Sequence, residues 1–169
     1  MALDYFSEFN GIVRPLQQLP VRYAVVGGFA VAIHGSVRAT EDVDFLVHPD
    51  DVAAFGTMLK ELGYLQKREA WTFSNSQLTL HRYLKCEPGE EDYYVVDVLA
   101  ANTPEHQSMI QRAKTENWSD GLLKVLQKKD LIDMKKQRGS HSDLADIEFL
   151  EKRDAAEDDK SRKGDSQAQ

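Results

Sequence analysis

Three aspartates and a pair of glycines carry the residue types from which chemistry could be built. Asp42 and Asp44 stand two residues apart in the run TEDVDFLV. In an extended strand such residues share one face, while Val43 and Phe45 take the other. One face is then apolar, and the other shows two carboxylates. Ionised carboxylates side by side repel, and one has a raised pKa unless a cation sits between them. Their oxygens are the ligands Mg²⁺ prefers, commonly shared with substrate phosphates. Upstream, Gly27-Gly28 stops the apolar run YAVV and opens FAVAIH, in which Phe29, Ala32 and Ile33 fall at helical spacing. Free backbone N–H groups and the positive end of a helix dipole favour an anion there, and glycine lets a phosphate approach without a Cβ in the way. A phosphate seat beside a metal seat suits phosphoryl transfer, where positioning and charge neutralisation supply most of the rate.

A third carboxylate, Asp97, interrupts the apolar run YYVVDVLA. A lone charge in a central strand is costly unless it is paired or binds a metal. Each of these residues also has a plain structural reading. Gly27-Gly28 makes a tight strand-to-helix turn, Asp42 could pair with Arg38, Arg38 could hold its loop rather than a phosphate, and Asp97 could sit at a strand end bonded to a turn. The five histidines show no metal-ligand spacing, and Trp71 and Trp118 read as packing residues.

Taken together, Gly27-Gly28, Arg38, Thr40, Asp42 and Asp44 in GGFAVAIHGSVRATEDVDF resemble the signature of the polymerase-β-like nucleotidyltransferase superfamily. The wording R-x-T-x-D-h-D is nearest to small bacterial enzymes that include abortive-infection toxins of toxin–antitoxin systems. The resemblance implies an α+β nucleotidyltransferase fold, with a mixed β-sheet that carries Asp42, Asp44 and Asp97 and helices packed on it. It implies that this triad is both metal-binding and catalytic, with two Mg²⁺ ions and an NTP such as ATP as substrate. Gly27, Gly28, Ser36, Arg38 and Thr40 are then candidates for the nucleotide site. The closing segment KKDLIDMKKQRGSHSDLADI resembles the family's last helices, which adds Lys135 and Asp143, with Asp146 one turn on. Ser140 departs from the pattern, since a basic residue often follows the turn glycine. The implied acceptor is a hydroxyl on RNA, tRNA or protein, and an antitoxin is the implied partner. The alternatives are a small-molecule, aminoglycoside-type nucleotidyltransferase and a non-catalytic module that binds nucleotide or protein.

The elements that must position these groups follow from pattern. A first helix is expected over 4–19, strands at 23–26 and 42–47, and a helix from 51 to Gly63. Strands are expected over 65–73 and 78–84 around a turn at 74–76, and another over 93–99 after an acidic turn. A helix over 104–114, an ambiguous stretch over 118–126, and two helices joined at 138–140 complete the domain. With 169 residues, one domain is expected, ending near 152, and a charged, disordered tail over 153–169.

The net charge of −7 argues against general clamping on nucleic acid. The basic run from Lys124 to Arg138 is the local exception, and Lys135 is its strongest candidate for steering a triphosphate. One cysteine, Cys86, fits a reducing cytoplasm, and no apolar run reaches the ~20 residues a membrane span needs.

Overall fold

A computed structural model describes residues 4–37, 40–119 and 121–165. Seven strands form one mixed sheet in the order β3-β4-β5-β2-β1-β7-β6. They are β1 (Tyr23–Val26), β2 (Asp42–Val47), β3 (Trp71–Thr72), β4 (Thr79–Cys86), β5 (Tyr93–Ala100), β6 (Lys114–Trp118) and β7 (Gly121–Val125). The helices are α1 (Tyr5–Leu16), α2 (Gly27–Ile33), α3 (Val52–Glu61), α4 (Pro104–Gln111), α5 (Lys128–Arg138) and α6 (His141–Asp165). This is an α+β fold, and its mixed sheet carries the aspartates.

The centre of the sheet is set by burial. β1 is buried along its whole length, and β2 alternates at its start before becoming fully buried. β2 runs antiparallel to β1 and parallel to β5. The odd positions of β2 face one core layer. There Phe45 meets Phe9 of α1 at 6.2 Å and Phe55 of α3 at 5.0 Å between ring centroids. Burying one such ring is worth about 1.5–3 kcal/mol, so this layer fixes which face of β2 looks inward. The even positions, Asp42 and Asp44, are thereby turned to the opposite face.

The structure departs from the sequence expectations at three places. Only Trp71–Thr72 pairs as β3, while Leu65 makes an isolated bridge to Leu84. Lys67, Arg68 and Glu69 between them are exposed and offer no apolar face to a sheet. The expected helix over 104–114 stops at Gln111, and Lys114–Trp118 and Gly121–Val125 form the antiparallel pair β6–β7, with β7 joining β1 in parallel. Among the described residues of that hairpin only Leu123 and Val125 are buried, so its sequence carries little of the alternation that marks a half-buried strand. Finally, α6 continues to Asp165, past residue 152. Its distal part is solvent-exposed and is supported by ion pairs from Lys152 to Glu148 at 2.7 Å and from the buried Lys128 to Glu157 at 2.5 Å.

Candidate active site

β2 and β5 bring the three aspartates together through parallel register. Asp44 lies directly opposite Asp97, and Asp42 opposite Val95. One ligand oxygen from each of Asp42, Asp44 and Asp97 can be chosen so that all lie within 4.8 Å of one another. Asp97 is buried, and the other two are partly buried at the floor of a cleft of about 230 Å³. Burial, then the charges of Asp42 and Asp97, push the Asp44 carboxyl up to about 7. A cation placed among these carboxylates would offset that mutual repulsion.

The glycine turn lets the backbone close against these carboxylates. Val26 is the cross-strand partner of Asp44, and Gly27 follows it with φ +65°. A Cβ at Gly27 would collide with the Asp44 carboxylate, so a side chain is excluded by backbone conformation and by space at once. Three hard oxygen donors within 4.8 Å of one another suit a divalent cation such as Mg²⁺.

Thr40 supports the triad from the strand entrance. Its hydroxyl donates to the Asp42 carbonyl at 3.0 Å and stands 3.3 Å from Asp42 Oδ1. Arg82 on β4 is the residue that sequence reasoning missed. It lies opposite Asp97 and donates Nε–H to Oδ1 at 2.8 Å and an Nη2–H to Oδ2 at 2.6 Å. The only sequence signal was an arginine in the alternating run TLHRYLKC, and its partner depends on a register the sequence does not print.

The α5–α6 corner forms the opposite wall. Leu131, Met134, Lys135 and Arg138 line the cleft. Lys135 Nζ lies 2.8 Å from Asp146 and 3.3 Å from Asp143, so its ammonium is shared with two carboxylates of α6. Arg138 donates twice to Asp143, at 2.8 and 2.7 Å. Ser140 and Asp143 form a reciprocal cap: the Asp143 N–H donates to Ser140 Oγ at 3.3 Å, and the Ser140 N–H to Asp143 Oδ2 at 3.1 Å. Against the cost of burial, Arg138 and Ser140 hold the Asp143 carboxyl well below the usual carboxylate range. Asp143 has no exposed surface and so holds this corner rather than lining the cleft. Gly139 ends α5 in the left-handed conformation, φ +69°, that the sharp corner requires.

The remaining candidates are dispersed. Gly28 lies in the first turn of α2, and Ser36, in the loop beyond it, donates its N–H to Val31 O at 3.2 Å; neither borders the cleft. Arg38 lies outside the described residues. The β3–β4 turn closes the rim, where Asn75 Nδ2 donates to the Gln137 carbonyl at 3.2 Å across the cleft mouth.

No protein-family model matches the chain, and no curated protein matches it in sequence. Solved structures do match it in fold. A Thermotoga maritima protein described as a nucleotidyltransferase (TM1012) shares 13% identity at a TM-score of 0.62, over 88% of this chain and 91% of that one. The lincosamide antibiotic adenylyltransferase LnuA, solved with lincomycin, shares 15% identity at a TM-score of 0.59, over 89% and 98% of the two chains. The antibiotic-resistance protein ANT(2'')-Ia, solved with adenylyl-2''-tobramycin, shares 12% identity at a TM-score of 0.52, over 85% and 86%.

Proposed function

We propose that the chain is a Mg²⁺-dependent nucleotidyltransferase that moves a nucleoside monophosphate from an NTP, such as ATP, to an acceptor hydroxyl. The observation that carries this reading is the in-register pair Asp44 and Asp97, with Asp42 beside it and a side-chain-free Gly27 over it. Asp42, Asp44 and Asp97 would hold the divalent cation, which supplies charge neutralisation to the triphosphate when bound. Gly27 lets the backbone close against the Asp44 carboxylate, and Arg38 is the further candidate for a phosphate contact, whereas Gly28 and Ser36 stand outside the cleft. Lys135 and Arg138 place positive charge on the facing wall. Thr40 fixes Asp42, and Asp143 fixes Arg138 and Lys135. Asp97 receives the acceptor proton as the acceptor oxygen bonds to the α-phosphorus. The bond from that phosphorus to the bridging oxygen breaks, and pyrophosphate leaves. Arg82 occupies one direction at each Asp97 oxygen, and a carboxylate oxygen has a further lone pair to offer.

For the acceptor, the R-x-T-x-D-h-D wording supports RNA, tRNA or protein as the target of a cytoplasmic toxin with an antitoxin partner. A second reading, a small-molecule acceptor, draws support from the fold likeness to LnuA and ANT(2'')-Ia. Among the described residues no helix is long and apolar enough to cross a membrane.

The test incubates purified protein with Mg²⁺, each α-labelled NTP, and either total tRNA, cell extract or a panel of antibiotics. Label transferred by wild type and abolished in Asp42→Ala/Asp44→Ala establishes the activity and names the acceptor class. Absence of both transfer and Mg²⁺-dependent NTP binding in the wild type overturns it.

A further inference from the structure

The Arg82–Asp97 pair bears on how many metal ions the site takes, a question that rests on the nucleotidyltransferase reading. Arg82 engages both oxygens of Asp97 in the forked geometry that only a guanidinium provides. The pair is asymmetric: the Asp97 side chain is 6% exposed and that of Arg82 is 52% exposed. Arg82 and Asp97 both line the cleft, so the guanidinium borders the same open volume as the aspartates. Its charge is permanent, since guanidinium is not deprotonated in proteins.

The charges around the cleft divide cleanly. Lys135 and Arg138 are matched by Asp143 and Asp146 within the α5–α6 corner. Asp42, Asp44 and Asp97 carry three negative charges, and Arg82 offsets one of them. The remaining two equal the charge of one divalent ion. Asp97 is thus served by a resident cation, while Asp42 and Asp44 are not.

We infer that the Arg82 guanidinium stands in for the second metal ion, so that the chain holds a single divalent cation at the Asp42, Asp44 and Asp97 cluster, with one of the cluster's three negative charges already offset by Arg82. This replaces the two-ion site that the sequence resemblance implies. Arg82 is accordingly a positioning residue: it fixes both oxygens of Asp97 and removes the need for a cation beyond it.

The test counts Mn²⁺ bound to the full chain without nucleotide, using the paramagnetic resonance signal of free Mn²⁺. Wild type binds one ion per chain, and Asp42→Ala/Asp44→Ala binds none. Arg82→Ala gains a second ion, with affinity at least about tenfold above any second site in wild type, because a positive charge beside Asp97 has been removed. Arg82→Lys keeps the charge and stays at one ion, and Arg82→Ala/Asp97→Asn returns to one. Arg82 is half-exposed, so these variants are expected to fold, which a thermal melt verifies. Two ions of comparable affinity in wild type, or no added ion in Arg82→Ala, overturns the inference and leaves the enzymatic reading standing. No Mn²⁺ bound by wild type overturns the inference, while the enzymatic reading is decided by the transfer and NTP-binding assay.

Discussion

Asp44 of β2 and Asp97 of β5 are direct partners in a parallel strand pair, and Asp97 is in turn the direct antiparallel partner of Arg82 on β4. Two carboxylates and a guanidinium thus lie in one row across three strands. Asp44 has a like charge on one side and the Gly27 turn on the other, so its carboxylate is where the site is electrostatically least satisfied.

That imbalance predicts a pH dependence. The Asp44 carboxyl titrates near 3.8 when unfolded and at about 7 in the folded, metal-free chain, raised by burial and then by Asp42 and Asp97. A folded pKa above the unfolded one gives stability that is full below the unfolded value and lost as pH rises through the folded value. The difference corresponds to at most about 4 kcal/mol. In EDTA, urea unfolding should show Asp44→Asn more stable than wild type at pH 8, with the gap closing towards pH 4. Saturating Mg²⁺ should shrink the gap at pH 8. A gap that does not change with pH would contradict this account.

Gly27→Ala should be far more harmful than an ordinary glycine-to-alanine change. The new Cβ meets the Asp44 carboxylate, and φ +65° is strained for any L side chain. Strain of this kind costs about 1–3 kcal/mol, and the carboxylate must move away from Asp42 and Asp97. Thermal melts should fall by several degrees, and Mn²⁺ affinity should drop at least about tenfold. Gly28→Ala, without a positive φ, should be the milder variant.

Asp143→Ala should behave as a structural lesion. It removes the reciprocal cap with Ser140 and leaves Arg138 without its double hydrogen bond. The Arg138 side chain is largely exposed and Lys135 keeps Asp146. The cost should therefore be about 1–3 kcal/mol, the penalty of lost hydrogen bonds rather than of an orphaned buried charge. Chemical denaturation should register that loss with or without nucleotide. A variant of unchanged stability that fails only in NTP binding would instead place Asp143 at the nucleotide.

Asn75→Ala should loosen the rim of the cleft while leaving the core intact. The hydrogen bond from Asn75 to Gln137 ties the β3–β4 turn to the end of α5. Losing about 1 kcal/mol there should speed amide exchange of 73–78 about fivefold, with exchange in β2 and β5 unchanged. Equal protection in both proteins would show that the latch contributes nothing.

Much of the site was legible because its signals are local. Asp42 and Asp44 share a face through strand periodicity, and Gly27 announces a turn that a side chain would block. The Ser140–Asp143 cap is equally local, as S-x-x-D at a helix start. The β6–β7 hairpin was hidden for a different reason. Few of its side chains are buried, and β7 is placed by pairing with β1, a partner about a hundred residues away in sequence.

By itself the sequence determined which residues could carry charge and metal, the strand-turn-helix unit over 23–47, and the apolar positions that turn Asp42 and Asp44 away from the core. Tertiary structure alone decided that Asp97 meets Asp44, that Arg82 grips Asp97, and that Lys135 and Arg138 are bound by Asp143. Those are matters of strand register and helix docking between distant segments. A register is chosen by the packing of whole faces, because a slip of one residue would turn every side chain of a strand to the other side. No residue's neighbours in the chain record that choice.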